Sequence, residues 1–386
     1  MIYLDYNSTT PVDKRVLEAM LPYFTEKFGN ASSKSHAAGW VAEAAVELAR
    51  EKVAKSIGAT PHEIIFTSGA TEAINLALKG VFEYYSGQKN HIITVATEHK
   101  AVLDTCKYLE SKGAQITYLP VDRDGLIDLN LLSKSITEKT ILVCVMYANN
   151  ETGVIQPISE IAKIAHDKKC LFMSDATQAV GKTNSTVTSM NEDVINDEPD
   201  LICFSAHKLY GPKGVGALFV RRKNPRVNLL PLIHGGSHEN GFRSGTLNVP
   251  AIVGFGKACE IAQMELWDEA QRLSRLRTFL EQSLQDIGNV FVNGSIKNRI
   301  CNTTNISFQG IKADALIKKL HSIALAMGSA CSSAISEPSH VLKAMGLSNE
   351  MSFSSIRFSL GRFTTESEIQ EVILKVKNAI YEIRQS

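Results

Sequence analysis

Four side chains that follow short apolar runs are the ones whose types and spacing can do chemistry. Lys208 sits in LICFSAHKLYGPKGVG, where residues 201–204 read as a buried strand and a glycine-rich turn leads into a second apolar run at 217–220. It is either a solvated loop cation or an amine held where burial lowers its pKa, and a neutral amine is a nucleophile that forms Schiff bases with carbonyls. Asp175 follows the run 171–173 in SDATQAVGK. It is a loop carboxylate or a group that keeps a proton on a pyridine nitrogen, making such a ring an electron sink. Gln178, three residues on, is placed to bond a ring oxygen from the same side. His99, in TEHKAV, is a surface histidine at a helix start or a ring lying over another flat ring and moving protons.

A fifth feature is the turn Thr67-Ser68-Gly69-Ala70-Thr71-Glu72, between a strand and a helix. Free N–H groups at a helix start favour phosphate; Gly69 lets the backbone approach and Thr71 adds a hydroxyl. Its plainer reading is an ordinary capped helix. A lysine amine, an aspartate, a phosphate-binding helix start and a stacking histidine together form the parts of a pyridoxal-phosphate site.

These groups need a scaffold that brings strand ends together. Apolar runs at 64–66, 91–95, 116–119, 141–146, 171–173 and 201–204 alternate with helical segments opening at Ala70 and covering 101–109 and 159–167. Such alternation predicts an α/β fold with a mainly parallel sheet covered by helices, and ligands bind at the carboxyl ends of its strands. A long helix is expected over about 251–287, with Leu273, Leu276, Leu280, Leu284 and Ile287 on one face. It leads to a smaller α+β domain with strands at 290–292, 305–308 and 355–359 and helices at 313–320 and 339–344. The final helix opens on the capping-box pattern Thr365-x-x-Glu368. The expected division is a large cofactor-binding domain, 15–255, and a small domain made of 1–14 and 256–386.

The 386 residues carry 41 basic and 40 acidic side chains, a net charge of +1, so no global field draws the chain to nucleic acid or an anionic membrane. The N-terminus lacks a signal peptide's apolar core and no apolar run reaches membrane-spanning length, so a cytoplasmic protein is expected. Seven cysteines without a C-x-x-C pair point to neither a disulfide framework nor a zinc ribbon, and no metal site is expected. Cys331 stands in the loop-like stretch MGSACSSAISEPS, whose small residues suit a flexible tether.

The chain resembles the cysteine desulfurases that supply sulfur for iron–sulfur clusters, within class V of the aminotransferase-like pyridoxal-phosphate enzymes. The likeness runs essentially end to end, through YLDYNSTTPV, IIFTSGATEAINLAL, TEHKAVLDTC, NNETGV, DATQAVGK, FSAHKLYGPKGVGAL, HGGSHENGFRSGTLN, GSACSSA, EPSHVL and SSIRFSLGRFTTE. It implies fold type I with a seven-stranded sheet in the large domain. It implies Lys208 as the Schiff-base lysine, Asp175 on the pyridine nitrogen, Gln178 on the ring hydroxyl and His99 stacked on the ring. Ala70, Thr71, Ser205 and His207 would hold the phosphate, with Thr246 reaching it from the partner subunit of a homodimer. Asn150, at the cofactor, and Arg357 would hold the carboxylate of L-cysteine. Cys331 would take the sulfur as a persulfide, for delivery to an iron–sulfur scaffold protein or another acceptor such as a tRNA-thiolation relay.

Two features depart from that family. The polar stretch 182–200 is several residues longer than in close relatives and reads as a surface excursion. The chain stops at Ser386, soon after its last helix, where several relatives carry a further tail that helps dock a scaffold, which weakens any transfer of partner identity. The rival readings are a selenocysteine lyase or another class V aminotransferase, and a silent fold kept as an assembly module. Cys331 argues against a plain aminotransferase, and Lys208 with Cys331 against the silent module.

Overall fold

The computed structural model describes residues 1–183, 198–327 and 337–385. Most of the polar stretch and residues 328–336 of the Cys331 loop lie outside those residues.

A two-residue strand, β1 (Ile2–Tyr3), opens the chain. Seven strands then form the main sheet: β2 (Ile64–Thr67), β3 (His91–Val95), β4 (Gln115–Leu119), β5 (Thr140–Cys144), β6 (Leu171–Asp175), β7 (Leu201–Ser205) and β8 (Gly216–Val220). Their order is β2-β8-β7-β6-β5-β3-β4, and β8 alone runs against the others. Every residue of β3, β5, β7 and β8 is buried, as expected of strands covered on both faces. Strand β4 carries Gln115 and Tyr118 outward because it lies at the edge. The apolar run at 141–146 outlasts its strand: the Met146 N–H turns to the carboxylate of Glu98, at 2.6 Å.

A smaller antiparallel sheet joins β9 (Val290–Asn293), β10 (Thr303–Phe308) and β12 (Ser355–Ser359) in the order β12-β10-β9. The pair β1 and β11 (Ile323–Ala324) lies beside it. The long helix is Val249–Gln285, begun two residues earlier than expected because the Asn248 side chain accepts the Ala251 N–H. Ile287 falls beyond its end. The first half of this helix (Ile252, Phe255, Cys259) packs into the core around β7 and β8, while Leu273, Leu276, Leu280 and Leu284 pack into a second core with Ile306, Phe358 and Val376. The last helix, Glu366–Gln385, opens on the expected box: Thr365 N–H donates to Glu368 Oε2 and Glu368 N–H to Thr365 Oγ1. Sequence periodicity did not single out the helix Ala37–Ser56. Half of its buried residues are alanines, whose small side chains make a weak stripe against the long helix. Among the described residues no helix is long and apolar enough to cross a membrane.

Candidate active site

The sheet register brings the chemistry to one edge. Thr67 and Ser205 both pair with Gly216, so the turn after β2 lies beside the end of β7. A side chain at 216 would place its Cβ 2.7 Å from the Gly69 backbone, so only glycine permits that approach. Around this edge lies a cavity of about 520 Å³. Ala70, Thr71, His99, Asn150, Asp175, Gln178, Ser205, His207, Lys208 and Arg357 all line it, and Thr246 does not. Thr246 is exposed on its own chain, and Cys331 is outside the described residues.

Part of the cavity lining offers hydrogen-bond donors. The helix Ala70–Tyr85 is capped by Gly69 without a side-chain acceptor, so its first N–H groups open onto the cavity. Ser205 and Lys213 line the wall nearby, with His207, whose ring Nδ1 bonds Thr9 Oγ1 at 3.1 Å. Burial first, then the charges of Lys208, Lys213 and Lys182, push the His207 pKa down to about 4, so the ring is neutral at physiological pH.

Other lining residues have a different chemistry. Asp175 closes β6, and its Oδ1 accepts the Thr177 N–H at 3.0 Å. His99 caps the helix Lys100–Glu110 by accepting the Ala101 N–H at Nδ1, which leaves the proton of the neutral ring on Nε2. Lys208 Nζ donates to the carbonyls of Asn7 and Ser8, both at 2.7 Å. Gln178 Nε2 donates to the same Asn7 carbonyl at 3.0 Å.

Arg357 reaches in from β12 of the smaller sheet and is 2% exposed. Its Nη1 donates to the Asn150 carbonyl, and its Nη2 to Asp5 Oδ1 and Ser8 Oγ. Its buried Nε has no partner among the described residues. That donor and the fork beside it suit a carboxylate.

Sequence reasoning missed Asn7, Ser8, Glu98, Lys182 and Lys213. Glu98 is fully buried, and desolvation, with the charge of Asp175 adding, holds its carboxyl far above the usual range. It stands beside His99 in TEHKAV, where it reads as one more surface acid.

One tie steadies the wall. Glu239, from the segment that also carries Thr246, forms a forked ion pair with Arg50, with both N–O distances 2.7 Å, and accepts the Phe66 N–H in β2. Both side chains are nearly fully buried. Glu239→Ala leaves the Arg50 charge without its buried partner, and a loss of about 3–5 kcal/mol is expected. A denaturant-unfolding midpoint unchanged from the parent protein would contradict this.

Residues 2–372 match the family model described as aminotransferase class-V. Cysteine desulfurase IscS of Anaeromyxobacter sp. (strain Fw109-5) is 52% identical over 385 residues, covering 100% of this chain and 93% of that protein. A solved structure titled NIFS-like protein superposes with a TM-score of 0.90 at 40% identity, over 98% of this chain and 99% of the other. Another, titled SspA in complex with cysteine, gives 0.82 at 36% identity, over 95% and 100%. The chain belongs to the class-V aminotransferase family, with the mainly parallel seven-stranded sheet of its pyridoxal-phosphate enzymes. Its cofactor is pyridoxal 5'-phosphate. The cavity fits that group: its lining brings hydroxyl, imidazole and helix-start donors together with a carboxylate and an amine.

Proposed function

We propose that the protein is a cysteine desulfurase that converts L-cysteine to L-alanine and moves the sulfur onto Cys331 as a persulfide, for delivery to iron–sulfur cluster assembly. What carries the reading is a single cavity that joins Lys208, Asp175, Gln178 and His99 to the buried guanidinium of Arg357. The likeness to proteins named cysteine desulfurase, and to one solved with cysteine, supports it.

Bound there, pyridoxal 5'-phosphate supplies an electron sink for charge developing at the substrate Cα. Lys208 would anchor the cofactor and move the Cα proton, while Asp175 would keep a proton on the ring nitrogen. Ala70, Thr71, Ser205 and His207 would hold the phosphate, and Gln178 would donate to the ring oxygen. His99 would offer its imidazole to the ring. Arg357, with Asn150, binds the substrate carboxylate. The Cys331 thiolate attacks the substrate sulfur; Cys331–SH and cysteine become Cys331–S–SH and alanine, which balances.

The other thiols support this assignment. Burial first of all pushes Cys106 and Cys259 up to about 12 and Cys301 to about 11, raises Cys170, and holds Cys144 and Cys203 far above the ordinary range. Among the described residues every cysteine is therefore protonated at neutral pH and a weak nucleophile.

The reading extends to a homodimer in which Thr246 reaches the partner's phosphate, to a scaffold protein or other sulfur acceptor, and to a cytoplasmic location. It also keeps the division into a large domain, 15–255, and a small one, 1–14 with 256–386. The test is to supply L-cysteine and a thiol reductant to cofactor-loaded protein and measure sulfide and alanine. Equimolar products are expected. Amino-group transfer to a keto acid without sulfide would instead make it a plain aminotransferase.

A further inference from the structure

Lys182 lies just behind the cavity wall, four residues after Gln178. Its ammonium turns inward, donating to Gln178 Oε1 and, at 3.1 Å, to Asn7 Oδ1. Both acceptors belong to buried residues: Gln178 is 3% and Asn7 1% exposed. Asn302 Nδ2 adds a second donor to Asn7 Oδ1 at 3.3 Å. The Asn7 carbonyl in turn accepts from Gln178 Nε2 and Lys208 Nζ. Gln178, Asn7 and Lys208 thus form one network, with Lys182 at its back.

A primary amide has an accepting end and a donating end of nearly equal size, and only its partners decide which points where. A lysine amine with two acceptors engages them as a donor. Its bond to Oε1 therefore fixes Nε2 as the end that donates to the carbonyl of Asn7, itself a lining residue of the cavity, with a second N–H to offer. We infer that Lys182 is a positioning residue: it holds Gln178 as a donor toward the cofactor's ring oxygen and sets a second amine beside Lys208. The inference rests on the pyridoxal-phosphate reading of the cavity.

The groups that face Lys182 are Lys208 and Arg357, which oppose its charge, and Glu269 and Cys301, which favour it. Burial is the larger influence, and with Lys208 it draws the Lys182 pKa down to about 7.

The test reads the visible absorption of cofactor-loaded protein against pH, for the parent, Lys182→Met and Lys182→Gln. Methionine keeps the stem and removes both donation and charge; glutamine restores one donor without charge. Losing a donor makes the ring oxygen more basic, and losing a neighbouring cation makes protonation of the Lys208–cofactor linkage easier. Both effects raise the midpoint. A rise of about one pH unit, a tenfold change in the proton equilibrium, is expected in Lys182→Met, with a smaller rise in Lys182→Gln. Folded, loaded variants with the parent's midpoint overturn the inference, as do two variants that fail to fold, which would make Lys182 a purely structural residue. A parent protein with no cofactor absorption would instead overturn the reading of the cavity itself, so the two failures are told apart.

Discussion

Lys208→Ala protein is expected to carry no cofactor linkage that borohydride can reduce, and to lose cysteine turnover by about a thousandfold or more. The amine is asked to do two things, to anchor the cofactor and to move the Cα proton, and loss of a positioned acid–base group alone costs about a hundred- to ten-thousandfold. Its surroundings fit an amine kept for chemistry rather than for solvent. Nζ is turned to two main-chain carbonyls at 2.7 Å, with Lys182 adding a like charge nearby. Cofactor binding through the phosphate contacts should survive, so the variant should still take up pyridoxal 5'-phosphate reversibly. A reducible linkage retained in Lys208→Ala would mean another amine is the anchor.

The second large effect separates cofactor chemistry from sulfur transfer. Cys331→Ser is expected to bind cofactor and change its absorption on adding cysteine, while persulfide and sulfide output falls by more than about a hundredfold. A serine hydroxyl is scarcely ionised near neutral pH and attacks sulfur poorly, whereas an accessible cysteine is partly thiolate. Cys301→Ser is the control: that thiol is half-buried, its pKa is raised to about 11, and turnover should stay near the parent's. The reverse pattern, normal sulfur release from Cys331→Ser and loss in Cys301→Ser, would move the nucleophile to Cys301.

What the sequence made legible was what local pattern encodes. The strand runs were readable because fully covered parallel strands are continuous apolar segments, and the polar residue after each run then marks a ligand-facing edge. Lys208, Asp175 and His99 were found that way. The motif likeness added Arg357 and Asn150, which no periodicity marks. Asn7 was hidden because its partners Gln178, Lys208 and Thr303 lie 171, 201 and 296 residues away along the chain. Glu98 and Lys182 were hidden for another reason. Their meaning lies in burial, which a charged letter in a polar string does not disclose. The alanine-rich helix Ala37–Ser56 escaped because its buried face is small rather than strongly apolar.

On the proposed role of Arg357, the grip of Asp5 on its guanidinium would turn substrate capture into a trade. In the resting protein the guanidinium already holds a carboxylate, at 2.7 Å, together with Ser8 and the Asn150 carbonyl. If Arg357 is the carboxylate anchor proposed above, an arriving amino acid would replace one anion by another, and the buried cation would keep an anionic partner throughout. Such an exchange would sacrifice some affinity, because the incoming group must outcompete an internal rival. In return it would screen candidates by what they carry: cysteamine, the same thiol and amine without the acid, would have nothing to offer Arg357 and would leave Asp5 where it is.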